Sequence, residues 1–309
     1  MTYNKSNATD WMQISASHCI SWLAVFGIEC LAAVILNIIT IIVFVKQRQL
    51  QSRSTYLIIH LGVVDLLVGV IVGPMIIEMY GSEFCRLWES RSNFDWLPSL
   101  QIYVGHGVYQ ISLNNLAVIA LERVHATFRP FKHRFIRKWV YGVMISVNWV
   151  IPLAMYSIPF YFGVHPFLIR FIYLCSLLSV ILVCYVSIYI KIRCSRHLQH
   201  NGAASLRERK LTTTLFIATL ASLLTFMPRL VYWGDINFSD LILSLSRQSF
   251  FDVVMATMTI LILNSTINPI IYIIRMSQLR GGTSKLIFRR APNHLNPNGV
   301  SPQIANCLS

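Results

Sequence analysis

Seven long apolar runs constrain this sequence more than any other feature. A helix needs about 20 predominantly apolar residues to cross the hydrocarbon core of a bilayer. Helices are the expected form, because a spanning segment must satisfy its own backbone hydrogen bonds inside the lipid. The sequence therefore predicts an all-α membrane protein, a bundle of seven transmembrane helices. The runs cover residues 20–45, 56–80, 98–121, 139–162, 167–192, 211–233 and 250–274.

The composition agrees with this class and excludes others. Hydrophobic residues make up 55% of the chain and charged residues 12%, whereas soluble domains are about 25% charged. The net charge of +14 comes from short basic clusters between apolar runs, a pattern that favours an anionic membrane surface over nucleic acid. The seven cysteines show no metal-site or thioredoxin-like spacing.

The basic clusters also predict the orientation of the bundle. Most Lys and Arg residues lie in the segments after the first, third, fifth and seventh runs, and short basic loops face the cytoplasm. The predicted organisation is an extracellular segment over residues 1–19, a seven-helix domain over residues 20–274 and a cytoplasmic tail over residues 275–309. The sequons at Asn4, Asn7 and Asn237 fall on the outer side and are candidate glycosylation sites.

An acidic residue lies in the middle of the second run. A charge at the centre of a span costs roughly 2.5–3.5 kcal/mol on insertion scales, so Asp65 is a functional candidate. Asn264, Ser265 and Asn268 share one face of the seventh run, and Ser112 lies at a comparable depth in the third. Carboxylate, hydroxyl and amide oxygens suit a hard cation such as Na⁺. A hydrogen-bond network around a protonated Asp65 is the alternative, and both remain open.

A second group of polar residues lies at the cytoplasmic side. Arg123 follows Glu122 at the end of the third run, and Glu208 precedes the sixth. An arginine shared between two carboxylates ties two helices together in a dry setting. A solvated loop end is the alternative interpretation. Pro228 and Pro269 lie inside the sixth and seventh runs, where proline kinks a helix.

Short motifs on all seven runs resemble the signatures of the rhodopsin-like (class A) G-protein-coupled receptors. The resemblance covers residues 20–290 and depends on the order of the motifs rather than on any one of them. In chain order these are Asn37, Leu61-Gly-Val-Val-Asp65, Glu122-Arg123-Val124, Trp149, Tyr185, Pro228 and Asn268-Pro269-Ile270-Ile271-Tyr272.

The resemblance implies a function and a role for each motif. A receptor of this family lies in the plasma membrane, binds an extracellular ligand and activates a heterotrimeric G protein when its sixth helix moves outward. The polar residues around Asp65 match the family's sodium pocket, so the only cofactor expected is an allosteric Na⁺. Arg123 matches the switch arginine, with Glu122 and Glu208 as its lock. Tyr185 and Tyr272 match tyrosines that swing inward on activation.

The sequence also departs from the family pattern. Pro98 stands near the place of a cysteine that is usually bridged to the second outer loop, and the loop over residues 163–166 has no cysteine. We expect that disulfide to be absent and Cys19 and Cys85 to be a candidate pair instead. Phe226 replaces a tryptophan and is a candidate aromatic toggle. These departures resemble the branch of melanocortin, cannabinoid and lysophospholipid receptors.

The outer halves of the runs disfavour some classes of ligand and leave the natural ligand open. The family's retinal-binding lysine is missing, with Ile262 in its place, and the aspartate of aminergic receptors is replaced by Gly105. Arg229 lies too deep to snorkel easily and is predicted to bind a carboxylate or phosphate on a small molecule, lipid or peptide. An internal salt bridge from Arg229 to Glu78 or Asp252 is an equal alternative. The pocket candidates are His106, Tyr109, Arg229, Arg170 and Glu78, while Glu29 in the first run has no assigned role.

Other functions fit the sequence less well. A secondary transporter typically shows internal repeats, and none is visible between the halves of this chain. HExxH, GxSxG and paired intramembrane aspartates are missing from the sequence, which disfavours an enzyme. A receptor-like scaffold that does not couple to a G protein stays an alternative. The basic stretch 275–290 is predicted to form a short amphipathic helix on the inner leaflet, interrupted at Gly281-Gly282.

Overall fold

The structure is a computed structural model that describes residues 14–47, 55–89, 97–162, 166–194, 203–238 and 241–287. Within these residues the chain forms seven long helices, which we call the first to seventh spans, and two short ones. We call the short helix Pro130–Arg134 the loop helix and the short helix Ser277–Ile287 the tail helix. The spans are Ala16–Lys46, Thr55–Phe84, Leu97–Phe128, Lys138–Phe162, Pro166–Cys194, Ala203–Phe238 and Arg247–Arg275.

The predicted seven-helix fold is confirmed, and the helices extend beyond the apolar runs. Five stretches of the described residues are long and apolar enough to cross a membrane, within the first, second, fifth, sixth and seventh spans. The third span continues to Phe128, so Glu122 and Arg123 lie inside a helix rather than at its end. The sixth begins at Ala203, well before the predicted residue 211. Polar ends continue the helices because the backbone hydrogen bonds of a helix do not depend on lipid.

The second span contains two π-helical stretches, Val68–Val72 and Tyr80–Phe84. Gly69, in the first of them, lies directly against the first span. A β-carbon at this position would be 2.7 Å from the carbonyl oxygen of Cys30 and 2.7 Å from a methyl group of Val34. Small residues let spans approach closely when neither can gain from the hydrophobic effect in lipid. This contact fixes the first span against the second.

A disulfide joins Cys19 and Cys85 at the outer ends of the first two spans, with Cα atoms 6.1 Å apart. The predicted candidate pair is therefore confirmed. The carboxylate of Asp252 in the seventh span accepts hydrogen bonds from His18 and Trp22 at 2.6 and 2.8 Å. The outer end of the first span is thus tied to both of its neighbours.

The tail helix supports the prediction of a short helix after the seventh span, but the predicted interruption at its glycines is wrong. Gly282 lies against the end of the first span, where a β-carbon would be 2.6 Å from Val43 and 2.2 Å from Gln47. Gly281 faces open space. The glycine at position 282 therefore allows close packing of a continuous helix.

The buried core has an outer and an inner half. The outer cluster includes Phe26, Tyr109 and Phe251, and the inner cluster includes Phe44 and Tyr272. The side chain of Phe226 in the sixth span packs against both clusters. An aromatic ring in this position contacts both halves of the bundle, as the predicted toggle requires.

We expect the substitution Gly69→Ala to lower the thermal stability of the purified protein. Alanine normally favours a helix over glycine by about 1 kcal/mol, but here its methyl group would meet the backbone of Cys30. Overpacking of this kind typically costs 1–3 kcal/mol. The measurement is the melting temperature in detergent.

Gly142→Ala is the matched control, because nothing lies within 4 Å of a β-carbon there. The control should melt at or slightly above the wild-type temperature. Equal melting temperatures for Gly69→Ala and Gly142→Ala would contradict the close contact between the first two spans.

Candidate functional site

The carboxylate of Asp65 lies at the centre of a polar layer and is fully buried. Ser265 Oγ and Ser112 Oγ donate hydrogen bonds to Asp65 Oδ1 at 3.0 and 3.2 Å. Asn268 Nδ2 donates to Asp65 Oδ2 at 3.0 Å. The donors come from the third and seventh spans and are neutral. The carboxylate thus joins three spans without a basic partner among the described residues.

The polar layer extends to two more spans. Asn37 of the first span donates to the carbonyl oxygen of Ser265 at 2.9 Å. Ser222 of the sixth span donates to Asn268 Oδ1 at 3.4 Å. Sequence patterns did not single out Ser222, because a serine in an apolar run carries no signal of its partner. The network therefore links five of the seven spans at one depth.

Asn264 lies near this layer but does not bond to Asp65. It is buried, and neither its amide nitrogen nor its amide oxygen has a hydrogen-bond partner among the described residues. Four of the five residues predicted for the sodium pocket are therefore joined by hydrogen bonds. The remaining residue, Asn264, has an unpaired amide oxygen and lies in the seventh span, one helical turn outward of Asn268.

Glu122 and Arg123 form a buried ion pair in the inner half of the third span, between one and two turns before its last residue, Phe128. Arg123 Nε donates to Glu122 Oε2 at 2.6 Å, and Nη2 donates to Oε1 at 2.8 Å. Arg123 is 1% exposed and Glu122 4%, so the alternative of a solvated loop end is wrong. Bidentate pairs of this type are among the stronger interactions in proteins. The side chain of Glu208, the second predicted lock residue, lies outside the described residues.

Two further residues hold Glu122, and the sequence analysis missed both. His133 Nε2 lies 2.5 Å from Glu122 Oε1, and Tyr141 Oη donates to the same oxygen at 3.3 Å. His133 belongs to the loop helix, which begins at Pro130. Proline is favoured at the first position of a helix, so Pro130 was the available signal. The loop helix thereby contacts the lock directly.

Of the two predicted switch tyrosines in the inner half, one has a hydrogen-bonded hydroxyl and the other does not. Tyr185 Oη of the fifth span forms a hydrogen bond with Thr219 Oγ1 of the sixth at 3.0 Å. Tyr272 is buried against Phe44, and its hydroxyl has no hydrogen-bond partner among the described residues. An unsatisfied buried group costs about 1–3 kcal/mol. Tyr272 would therefore gain from a rearrangement that supplies a partner.

The two switch prolines lie within continuous helices. Pro228 is inside the sixth span and Pro269 inside the seventh. Each removes a backbone hydrogen bond from its helix, which marks the places where these two spans bend most easily.

The outer half of the bundle holds an arginine that has no counter-charge among the described residues. Arg229 is 6% exposed. Its Nη1 donates to Thr257 at 3.3 Å, and its guanidinium lies over the rings of Tyr232 and Trp233, 4.4 and 5.5 Å from their centroids. Its Nε has no hydrogen-bond partner among the described residues. Aromatic rings attract a cation but do not neutralise it.

The predicted internal salt bridge of Arg229 is not formed. Glu78 accepts a hydrogen bond from Trp88 at 3.0 Å, and Asp252 is held by His18 and Trp22. In the part of the chain that the structure describes, neither carboxylate pairs with the guanidinium. This alternative is therefore wrong, which leaves Arg229 available to a ligand.

Two of the other pocket candidates, His106 and Tyr109, are described by the structure. The ring of His106 meets Trp233 edge to face at 4.7 Å. Tyr109 is buried with its hydroxyl unpartnered among the described residues. The side chain of Arg170 lies outside the described residues. So do the glycosylation candidates Asn4 and Asn7 and the side chain of Asn237, whose backbone belongs to the last turn of the sixth span.

Comparisons with known proteins find similarity to one family of receptors. The model of the seven-transmembrane receptors of the rhodopsin family matches residues 36–168. The D(2) dopamine receptor A of Xenopus laevis is 33% identical over 132 residues, 42% of this chain and 28% of that receptor. Dopamine receptor 2 of Caenorhabditis elegans is 31% identical over 199 residues, 57% of this chain and 22% of that receptor. The chain is related to the rhodopsin-like, class A receptors.

The fold is also that of a solved seven-helix protein. The crystal structure of squid rhodopsin matches with a TM-score of 0.72 at 18% identity, covering 90% of this chain and 87% of that one. The predicted seven-helix fold is thereby confirmed, and the relatives named above are receptors rather than enzymes. The matched regions span less than two fifths of the length of the two dopamine receptors. Membership of the melanocortin, cannabinoid and lysophospholipid branch stays a prediction.

We expect His133→Ala to raise ligand-independent nucleotide exchange on a G protein. His133 holds the carboxylate that pairs with Arg123, and a hydrogen bond to a charged group is worth about 1.5–3 kcal/mol. Its loss weakens the resting arrangement. The measurement is basal nucleotide exchange on a G protein at matched surface expression.

Arg134→Ala is the control, because Arg134 is in the same loop helix with an exposed side chain. It should leave basal exchange unchanged. An equal change in both variants would show that the loop helix acts through its surface and not through Glu122.

Proposed function

We propose that the chain is a plasma-membrane receptor that transmits the binding of an extracellular ligand to heterotrimeric G proteins. The observation that carries the proposal is the buried pair of Glu122 and Arg123 at the cytoplasmic end of the bundle. The buried guanidinium of Arg123 is bonded to the carboxylate of Glu122, which His133 also contacts, and it is released when that carboxylate finds another partner. The released arginine then contacts the G protein.

The contacts between spans describe how a ligand acts on this pair. Outward movement of the sixth span breaks the bonds from Tyr185 to Thr219 and from Ser222 to Asn268. Both tyrosines of the inner half are then free to bond across the opened space. The ligand supplies only its difference in affinity between the two arrangements. A ligand bound to Arg229 would contact the outer part of the sixth span and so have such a difference.

Arg123→Ala should abolish G-protein activation, both basal and ligand-induced. The substitution removes the cation that the open bundle presents to the G protein. The measurement is G-protein dissociation in cells across a panel of G-protein subtypes, at matched surface levels.

Arg129→Ala is the control, because it removes one exposed cytoplasmic charge outside the lock. A wild-type signal that survives in Arg123→Ala would contradict the switch role. Silence of the wild type with every subtype and with every ligand tried would favour the non-coupling scaffold.

We also propose that Na⁺ binds beside Asp65. The site offers a carboxylate, the hydroxyl oxygens of Ser112 and Ser265 and the unpaired amide oxygen of Asn264, which is a donor set for a hard cation. A bound Na⁺ would neutralise the carboxylate inside the membrane. It would thereby stabilise the resting contacts among the second, third and seventh spans.

We expect the purified receptor to melt at a higher temperature in NaCl than in KCl at equal ionic strength. A ligand present at tenfold its dissociation constant stabilises by about 1.4 kcal/mol, and Asp65→Asn should remove the difference between the salts. Identical melting of the wild type in both salts would instead support the hydrogen-bond network around a protonated Asp65.

We further propose that the ligand carries an anionic group that binds Arg229. The buried guanidinium has an unpaired Nε, the hydroxyl of Thr257 beside it and two aromatic rings beneath it. Burying an ion without a counter-charge costs several kcal/mol. A carboxylate or phosphate on a small molecule, lipid or peptide would offset that cost.

Any agonist found in a screen of anionic compounds should lose potency in Arg229→Gln by at least about 30-fold, since truncating one partner of a buried charge pair costs 2–5 kcal/mol. Potency is read from G-protein dissociation at matched surface expression. Arg247→Gln, an exposed change at the outer end of the seventh span, should leave potency unchanged. An agonist that keeps its potency in Arg229→Gln would contradict the proposal.

A further inference from the structure

The loop helix and the start of the fourth span carry a cluster of positive charge. The chain between the third and fourth spans has five basic residues and no acidic one, and all five side chains are exposed. The sequence contains no Asp or Glu between Glu122 and Glu208, so the nearby chain supplies no counter-charge. The five bases are Arg129, Lys132, Arg134, Arg137 and Lys138.

Two contacts with one carboxylate fix how this segment is turned. His133 Nε2 lies 2.5 Å from Glu122 Oε1, and Tyr141 Oη donates to the same oxygen at 3.3 Å. Ile136, which lies between them in the chain, is partly buried against the inner core cluster. These side chains point into the bundle. The exposed residues that alternate with them therefore project away from it.

Two exposed aromatic residues lie among the bases. Phe135 is 82% exposed and Trp139 63%. Trp139 is the first of four exposed residues on one face of the fourth span, followed by Val143, Val147 and Val150. An apolar stripe on the outside of a spanning helix faces lipid, and tryptophan is enriched at the interface between membrane and water. The stripe therefore places Trp139 near the level of the lipid headgroups.

We infer that Arg134, Phe135, Arg137, Lys138 and Trp139 bind an anionic phospholipid of the inner leaflet, and we call these five residues the basic loop surface. The three bases hold the phosphorylated headgroup, while the two aromatic rings pack against the upper part of the acyl chains. Clusters of Lys and Arg immediately cytoplasmic of a spanning helix attract anionic lipids. The inference does not depend on coupling to a G protein.

The number of bases selects among anionic lipids. Arg134, Arg137 and Lys138 lie within five consecutive residues and are all exposed. Phosphatidylserine has a single net negative charge, which balances only one of them. A phosphorylated inositol headgroup carries several negative charges on one ring, and the arginine fork matches the oxygens of a phosphate. A phosphoinositide with more than one ring phosphate therefore fits the basic loop surface better than phosphatidylserine.

A cytoplasmic protein is the other class of partner for a basic surface with exposed aromatic rings. The position of Trp139 favours the lipid, because the exposed stripe of the fourth span begins at this residue. A protein bound to the basic loop surface would compete with the bilayer for Trp139. A phospholipid covers the stripe and the bases at once, with its acyl chains on the first and its headgroup on the second.

The test measures lipid binding to the purified full-length chain in a neutral detergent by native mass spectrometry. The lipid probes are the dioctanoyl forms of phosphatidylinositol bisphosphate, phosphatidylserine and phosphatidylcholine, and inositol trisphosphate supplies the headgroup without acyl chains. We expect phosphatidylinositol bisphosphate to bind at least about tenfold more tightly than phosphatidylcholine, with phosphatidylserine between them. Inositol trisphosphate should bind more weakly than the lipid that carries its headgroup.

A combined substitution tests the three bases. Arg134→Gln, Arg137→Gln and Lys138→Gln together should weaken the binding of phosphatidylinositol bisphosphate by roughly 100-fold, since each base near an anionic surface contributes about fivefold. The matched control removes three exposed bases from other segments on the same side of the bundle and should retain binding. It combines Lys46→Gln, Lys210→Gln and Arg280→Gln.

Two further variants test the chemistry of the site. Arg134→Lys with Arg137→Lys keeps the charge and should keep most of the binding, which separates a loss of charge from misfolding. Phe135→Ser with Trp139→Ser should weaken the binding of phosphatidylinositol bisphosphate and leave that of inositol trisphosphate unchanged. Melting temperatures equal to that of the wild type establish that each variant is folded.

Three outcomes overturn the inference. An equal loss of binding in the combined loop variant and in its matched control would mean that the lipid binds basic residues without a defined site. Inositol trisphosphate that binds as tightly as the lipid would exclude the membrane as its source. Unchanged lipid binding in the combined loop variant would exclude the site, and a loss of G-protein activation in that variant would then assign the surface to a protein partner.

Discussion

The rest of the structure depends on how one buried carboxylate is satisfied inside the membrane. Asp65 is surrounded by lipid-embedded helices, where no water offers the hydrogen bonds that a carboxylate needs. Its three donors come from two other spans, and those donors are positioned by bonds to the first and sixth. Each span is therefore held at the depth and rotation that places its polar side chain in this layer. Apolar packing above and below then follows.

Buried charged side chains are paired at the inner end of the bundle and unpaired in its outer half. At the cytoplasmic end, Arg123 is paired with a carboxylate that is itself held by a histidine and a tyrosine. In the outer half, Arg229 and Glu29 have unpaired atoms and no counter-ion among the described residues. A satisfied buried pair stabilises one arrangement, whereas unsatisfied charges leave free energy for a molecule that completes them. The inner end is suited to hold a state and the outer half to respond to a ligand.

The sequence predicted the seven helices and three of the partners of Asp65, because each has a local signal, and it offered Cys19 and Cys85 only as a candidate pair. Apolar length predicts a span, and a charged residue within it demands polar neighbours. The sequence did not predict the contact of His133 with Glu122 or the close packing of Gly282. A histidine in a basic loop predicts a solvent-exposed side chain, and a pair of glycines predicts an interruption of the helix. Whether such a residue is buried depends on where the neighbouring helix lies, which the local sequence does not encode.

The first span is restrained at both ends. Its outer end is joined covalently to the second span at Cys19 and by hydrogen bonds to Asp252 of the seventh, and its inner end packs on Gly282 of the tail helix. Between these ends it fits against Gly69. A helix anchored in this way can neither rotate about its own axis nor slide along it. It provides a stationary reference in the bundle, against which the positions of the other spans are defined.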